Sequence, residues 1–170
     1  MKLKFLIMAK TSEKRECPPK QVLQDGTEVR LVPLEKTKGR PLYVSRDGVP
    51  YSFATGKLVQ ITPVQNTTPS SKTDGRRKQR YLVLQHHNGI KLHHAVALAW
   101  IGPRPEGCEC DHLNGVAADN RADNLEWVMP AENRRRAIIL RQLRKTMNVA
   151  ELSRKELRRL LEIEPVNSNH

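Results

Sequence analysis

A chain of 170 residues has room for one ordinary domain or two small modules. Its formal charge of +12, from 30 Lys+Arg against 18 Asp+Glu, suits a polyanionic partner, with an attraction that weakens as salt rises. An aromatic content of 4% argues against one large core and for two small aliphatic ones joined by a linker, and three cysteines make a poor disulfide framework.

The apolar run Phe5–Ala9 is too short for a signal-peptide core, and no stretch approaches the roughly 20 apolar residues of a membrane span. The expectation is a soluble, cytoplasmic protein with reduced thiols. Residues 1–24 read as a flexible tail containing Pro18-Pro19. Residues 25–64 read as a small β module. Its candidate strands are Val29–Val32, Leu42–Ser45, Val49–Phe53 and Lys57–Ile61, with turns at Arg46-Asp47-Gly48 and Ala54-Thr55-Gly56. Residues 65–79 are polar and contain Pro and Gly, which predicts a linker ending in the basic group Arg76, Arg77 and Lys78.

The second module is expected over residues 80–146. His86-His87-Asn88-Gly89 between two apolar runs is a hairpin signature, because Asn-Gly tolerates the positive φ of the tight turn. The run from His93 to Ile101 predicts a short buried helix stopped by Gly102-Pro103. Strands are expected at Cys108–His112 and Leu125–Val128, separated by an irregular loop. Pro130 can open a helix reaching about Lys145. In the last segment, 147–170, Ser153-Arg154-Lys155-Glu156 is a capping box with Leu152 and Leu157 placed to staple it.

The chemistry concentrates between Cys110 and Arg134. Phosphodiester cleavage needs an activated water, charge neutralisation at the phosphate and help for the departing oxygen, and one hard cation can provide the last two. Such ions take Asp carboxylates and Asn carbonyls, with water and phosphate in the remaining positions. A neutral imidazole is the natural base near pH 7. Asp111, His112 and Asn133 supply these types. Adjacent residues of a strand point to opposite sides, so Asp111 and His112 need a bend at the strand end to converge. Asn133 falls in the first turns of a helix, whose N-terminus favours anions.

The segment reads Asp111-His112-Leu113-Asn114-Gly115, then Asp119-Asn120, then Asn124-Leu125-Glu126-Trp127-Val128, then Glu132-Asn133, with His112, Asn124 and Asn133 spaced by 12 and 9. It resembles the HNH endonucleases of the phage and intron homing type. Upstream, His93-His94-Ala95-Val96-Ala97 and Trp100 are similar to the family's helix, and Tyr43-Val44-Ser45, Asp47-Gly48 and Tyr51-Ser52 are similar to a β module often found before it. The resemblance implies an α+β fold, with a ββα-metal nuclease core preceded by a small antiparallel β meander and followed by C-terminal helices.

By the same resemblance His112 is the general base and Asp111 and Asn133 bind one divalent cation, Mg2+ or Mn2+. Asn124 pins the loop and helps to orient His112. The implied activity is phosphodiester hydrolysis in DNA, with no membrane partner and no small-molecule cofactor beyond the metal, in the cytoplasm of a bacterial or phage-infected cell. Arg134, Arg135 and Arg136 are candidate phosphate contacts together with Arg76, Arg77 and Lys78, and His93 is a supporting residue. Three departures stand out: His94 where Arg is usual, Asn114 where Asp is common, and Val116-Ala117-Ala118 in place of polar loop residues.

Two readings compete with the nuclease. One is a nucleic-acid-binding regulator that keeps the fold without cleaving. The other is a structural zinc module built on Cys108 and Cys110.

Overall fold

The computed structural model describes residues 18–34, 40–54, 56–65 and 81–161. Arg76, Arg77, Lys78 and Cys17 lie outside these residues, as does most of the expected linker.

Five antiparallel strands form the front sheet: β1 (Lys20–Val22), β2 (Glu28–Leu31), β3 (Leu42–Ser45), β4 (Pro50–Ala54) and β5 (Lys57–Gln60), in sequential order. β2 to β5 fall where short runs between turn residues predict them. β1 lies inside the expected tail. It is short and partly exposed, with little alternation to announce it, and it is held by pairing with β2 (Lys20 opposite Arg30). The Tyr43 hydroxyl also donates to the Pro18 carbonyl at 2.8 Å.

A second sheet joins β6 (Val64–Gln65), β7 (Leu82–Leu84) and β8 (Ile90–Lys91). The β7–β8 turn has Asn88 and Gly89 at φ 58° and 66°, the conformation an Asn-Gly hairpin requires. β6 pairs with β7 (Val64 opposite Val83), so the end of the predicted front module is stitched to the following one.

Helix α1 (Leu92–Trp100) follows directly, then the ribbon of β9 (Glu109–His112) and β10 (Leu125–Val128) and helix α2 (Pro130–Leu143). Pro130 occupies the first turn of α2, where its missing N–H costs nothing. Helix α3 (Arg154–Leu160) opens on the full reciprocal capping box between Ser153 and Glu156. No helix among the described residues is long and apolar enough to cross a membrane.

Two apolar clusters hold these elements, but their boundary is not at the linker. The larger joins Val32, Leu42 and Val44 of the front sheet to Leu84, Leu92, Val96, Ala122 and Leu125. Front sheet, α1 and β10 therefore share one core. The smaller cluster packs Leu113 and Leu140 against Val149, Leu157 and Leu161, and so fastens the C-terminal segment to the loop after β9. With few aromatic side chains, burying aliphatic area in both clusters is the main stabilising term.

Trp100 and Trp127 anchor the fold through indole N–H donation, Trp100 to the Val44 carbonyl and Trp127 to the Gly102 carbonyl, both at 3.1 Å. Arg30 lies over the Trp100 ring at 4.1 Å.

Candidate active site

β9 and β10 pair in unbroken antiparallel register, with Glu109 opposite Val128, Asp111 opposite Glu126 and His112 opposite Leu125. The ladder is regular through His112, and the turn comes after it, where the Gly115 N–H donates to the His112 carbonyl at 2.7 Å. Asp111 and His112 therefore meet different elements, as strand alternation dictates. Asp111 reaches Arg136 of α2, whereas the His112 ring lies 5.0 Å, centroid to centroid, from His93 of α1. The bend expected to bring the pair together does not act before His112.

Asn133 is on the Asp111 side. Its Nδ2 donates to Glu109 Oε2 at 2.8 Å, and Glu109 and Asp111 are two apart on one face of β9. The same donation leaves the Asn133 carbonyl oxygen as the group available to a cation.

His112 is 5% exposed, and burial is the main cause that lowers its pKa below the usual imidazole value. The hydrogen bond to Asn120 and the Asp119 charge oppose that shift without reversing it. Asn120 Nδ2 donates to the Ala118 carbonyl at 3.1 Å, so its Oδ1 faces His112 Nε2 at 3.3 Å as an acceptor. That assigns the proton to Nε2 and the lone pair to Nδ1.

Asn124 does not touch the imidazole. It accepts from the Asn114 N–H at 3.0 Å and donates to Asn114 Oδ1 at 2.9 Å and to the Asp119 carbonyl at 2.8 Å. It thus closes the loop and sets the backbone one residue before Asn120. The sequence pattern gives Asn120 no role of its own; its place in the Asp119-Asn120 pair is the signal that points to it.

The apolar stretch Val116-Ala117-Ala118 does not leave the loop loosely bonded, because main-chain groups take over. Val116 N–H donates to Asn114 Oδ1, Asp119 N–H to the Val116 carbonyl, and Ala118 accepts from Asn120. Asn114 also donates to Asp119 Oδ2 at 2.8 Å.

The front sheet supports this loop from outside. The β3–β4 turn accepts from the Ala122 N–H through the Arg46 carbonyl at 2.8 Å, and Arg46 pairs with Asp123 at 2.7 Å. Gly48 has φ +83°, and a Cβ there would stand 2.7 Å from the Asn120 carbonyl oxygen. Glycine is required both for the turn and for this approach.

Arg136 corrects one expectation. It is 4% exposed and faces inward. Nε donates to Glu132 Oε1 at 2.9 Å, and Nη1 is shared between Glu126 Oε2 at 3.1 Å and Asp111 Oδ2 at 3.5 Å. A guanidinium buried among three carboxylates is not a surface phosphate contact. Arg135 is half-buried and bonded to Glu132 and to the Leu161 carbonyl. Arg134 is exposed.

The three carboxylates are unequally compensated. Arg135, then Arg136, hold the Glu132 carboxyl down to about 2. Glu126 also receives Arg154 at 3.2 Å and Arg158 of α3. Among the described residues the cation that pairs with Asp111 is Arg136, at a long 3.5 Å, and burial pushes the Asp111 carboxyl up to about 6 although Arg136 and the His112 backbone N–H both lower it. A half-buried, under-neutralised carboxylate is a donor that fits a hard divalent cation, with phosphate and water completing its shell. Among the described residues no three His, Cys, Asp or Glu cluster as metal ligands, so such an ion would depend on oxygens from outside the protein.

His93 is buried, and among the described residues its Nδ1 has no hydrogen-bond partner. Burial drives its pKa down to about 2, and that of the half-buried His94 to about 4. Both are neutral at pH 7, so His94 does not supply the cation that Arg would at this position. The zinc reading fares poorly. Cys108 Sγ lies 3.8 Å from Met129 Sδ, Cys110 Sγ donates to the His93 carbonyl, and burial pushes the Cys110 thiol up to about 12, away from the thiolate that zinc needs.

Residues 90–135 match a family model described as HNH endonuclease. An uncharacterized HNH endonuclease of Acanthamoeba polyphaga mimivirus is 44% identical over 50 residues, 28% of this chain and 13% of that protein. A solved structure concerned with DNA binding and cleavage by the HNH homing endonuclease I-HmuI aligns with a TM-score of 0.40 and 23% identity, covering 74% of this chain and 65% of that one. The chain thus spans a small part of the viral relative.

Proposed function

We propose that this chain, whose residues 90–135 match an HNH endonuclease model, is a metal-dependent DNA endonuclease that hydrolyses phosphodiester bonds. The observation that carries the reading is the division of labour at the end of β9. A buried, neutral His112 stands beside an Asp111 that lacks a full counter-charge.

In this reading His112 takes a proton from water at Nδ1, the ring nitrogen that Asn120 leaves unprotonated. Asn120 holds the ring, and Asn124 holds the loop that carries Asn120. Asp111 and the Asn133 carbonyl bind one divalent cation, Mg2+ or Mn2+, which when bound neutralises phosphate charge and eases departure of the leaving oxygen. The exposed Arg134, near the start of α2, contacts a DNA phosphate, and Arg76, Arg77 and Lys78 add further backbone contacts. The net charge of +12 suits this partner.

The test is plasmid cleavage by the wild-type chain and by His112→Ala in Mg2+, in Mn2+ and in EDTA. Wild type cleaves with metal and not in EDTA. His112→Ala binds DNA in EDTA as wild type does, but does not cleave. Undiminished cleavage by pure His112→Ala removes the general-base assignment. A wild-type chain that shifts DNA without ever nicking it is instead a binding regulator.

A further inference from the structure

One nitrogen, Arg136 Nη1, serves two carboxylates. It stands 3.1 Å from Glu126 Oε2 and 3.5 Å from Asp111 Oδ2. Charge-assisted N–H···O bonds settle near 2.7–2.9 Å, so the Asp111 contact is long and the Glu126 contact is the closer of the two. Glu126 is itself fixed from behind. Its other oxygen, Oε1, is gripped by Arg154 and Arg158 of α3. Arg136 is anchored at its Nε by Glu132. Glu126 lies opposite Asp111 on the neighbouring strand, so the competition is built into the β9–β10 register.

We propose that Glu126 is a positioning residue that draws Arg136 away from Asp111 and so keeps the Asp111 oxygens open to a divalent cation. This rests on the reading of Asp111 as a metal ligand. Without the Glu126 charge, Arg136 closes onto Asp111 as a full ion pair and competes with the cation for the same oxygens. With it, the Asp111 oxygens stay only half-claimed, at 3.5 Å from Arg136 Nη1. Helix α3 contributes by holding Glu126 in this position, which gives the C-terminal segment a role in cation affinity.

The experiment uses the full chain and Mn2+ without DNA. The free-ion electron paramagnetic resonance signal gives the Mn2+ binding midpoint, and plasmid cleavage against Mn2+ concentration gives a second. Glu126→Gln is expected to raise both midpoints on the order of 10-fold, the effect of shortening the Arg136–Asp111 separation at an effective dielectric near 20. Adding Arg136→Gln in the Glu126→Gln background returns the midpoint to the wild-type value or below. Arg136→Lys, with its shorter reach to Asp111, gives the same rescue in a chain that keeps a buried charge. Arg159→Gln, a charge loss at an exposed site on the same helix, leaves both midpoints in place.

A Glu126→Gln midpoint within twofold of wild type overturns the proposal. So does a failure of both Arg136 variants to rescue, since a merely structural Glu126 is not restored by removing its partner. Asp111→Asn separates the two levels. If it abolishes Mn2+ binding while Glu126→Gln has no effect, only the role of Glu126 falls. If it leaves Mn2+ binding unchanged, the metal-ligand reading falls and takes the role of Glu126 with it.

Discussion

Asn124→Ala removes three hydrogen bonds at one stroke, two of them buried and one part-buried. The Asn114 N–H loses its acceptor and the Asp119 carbonyl loses its side-chain donor, whereas Asn114 Oδ1 still accepts from the Val116 N–H. The Asn114 N–H is thus stranded away from water and the part-buried Asp119 carbonyl loses its donor, at about 1–3 kcal/mol each. The expected loss is about 2–6 kcal/mol, a large part of the 5–15 kcal/mol typical of a domain. The Leu113 N–H to Asn124 carbonyl bond is main-chain and survives.

Asn124→Asp keeps the acceptor but turns a second carboxylate oxygen toward Asn114 Oδ1 and the Asp119 carbonyl. Its carboxyl is held above the unfolded value, so the penalty relative to wild type is absent in acid and grows as pH rises through the carboxylate range. Urea denaturation at pH 4 and pH 7 measures both variants. Cleavage at a temperature where the variant is still folded should also fall, because the loop sets Asn120 and Asn120 sets His112. A loss below about 1 kcal/mol with unchanged cleavage would refute the argument that this side chain closes the loop.

Gly48→Ala combines a positive φ with a Cβ 2.7 Å from the Asn120 carbonyl oxygen. It should cost about 1–3 kcal/mol and lower cleavage with it, read from thermal melts and plasmid nicking; an unchanged melting temperature would mean that the front turn does not press on the loop. Neutral His93, its pKa held near 2 by burial, contributes stability that is whole above the unfolded imidazole value and lost as pH falls below it. The slope is about 1.4 kcal/mol per pH unit below 6.5, and His93→Gln should flatten the fall by that amount in urea titrations between pH 7 and 5. Arg134→Gln should weaken DNA binding in EDTA and reduce the salt slope by about 1, with little change in stability. Arg136→Gln should instead destabilise the fold by several kcal/mol, as expected when buried carboxylates lose their partner; a stable Arg136→Gln chain with weakened DNA binding alone would reverse the assignment.

Several features were readable from local sequence because local physics governs them. Asn88-Gly89 accepts the positive φ of a hairpin, Pro130 opens α2, and Ser153 with Glu156 caps α3, wherever the rest of the chain lies. Short runs between turn residues located β2 to β5, and the spacing of Asp111, His112, Asn124 and Asn133 marked the candidate site segment. β1 and β6 are two or three residues long and take their conformation from a neighbouring strand, so no local signal announced them.

What tertiary structure decided is which side chain meets which. Three consecutive arginines read alike in sequence, yet the helix turns about 100° per residue, so Arg134 faces outward while Arg136 is buried among acids. The partner of His112 is Asn120 rather than Asn124, because only the folded loop brings that amide to the ring. The β3–β4 turn, some 70 residues earlier in the chain, supports that loop through Gly48 and Arg46. Local preferences depend on a few neighbouring residues and survive in the sequence. The charge around Asp111 depends on β9, β10, α2 and α3 packing together, and no window of the sequence contains it.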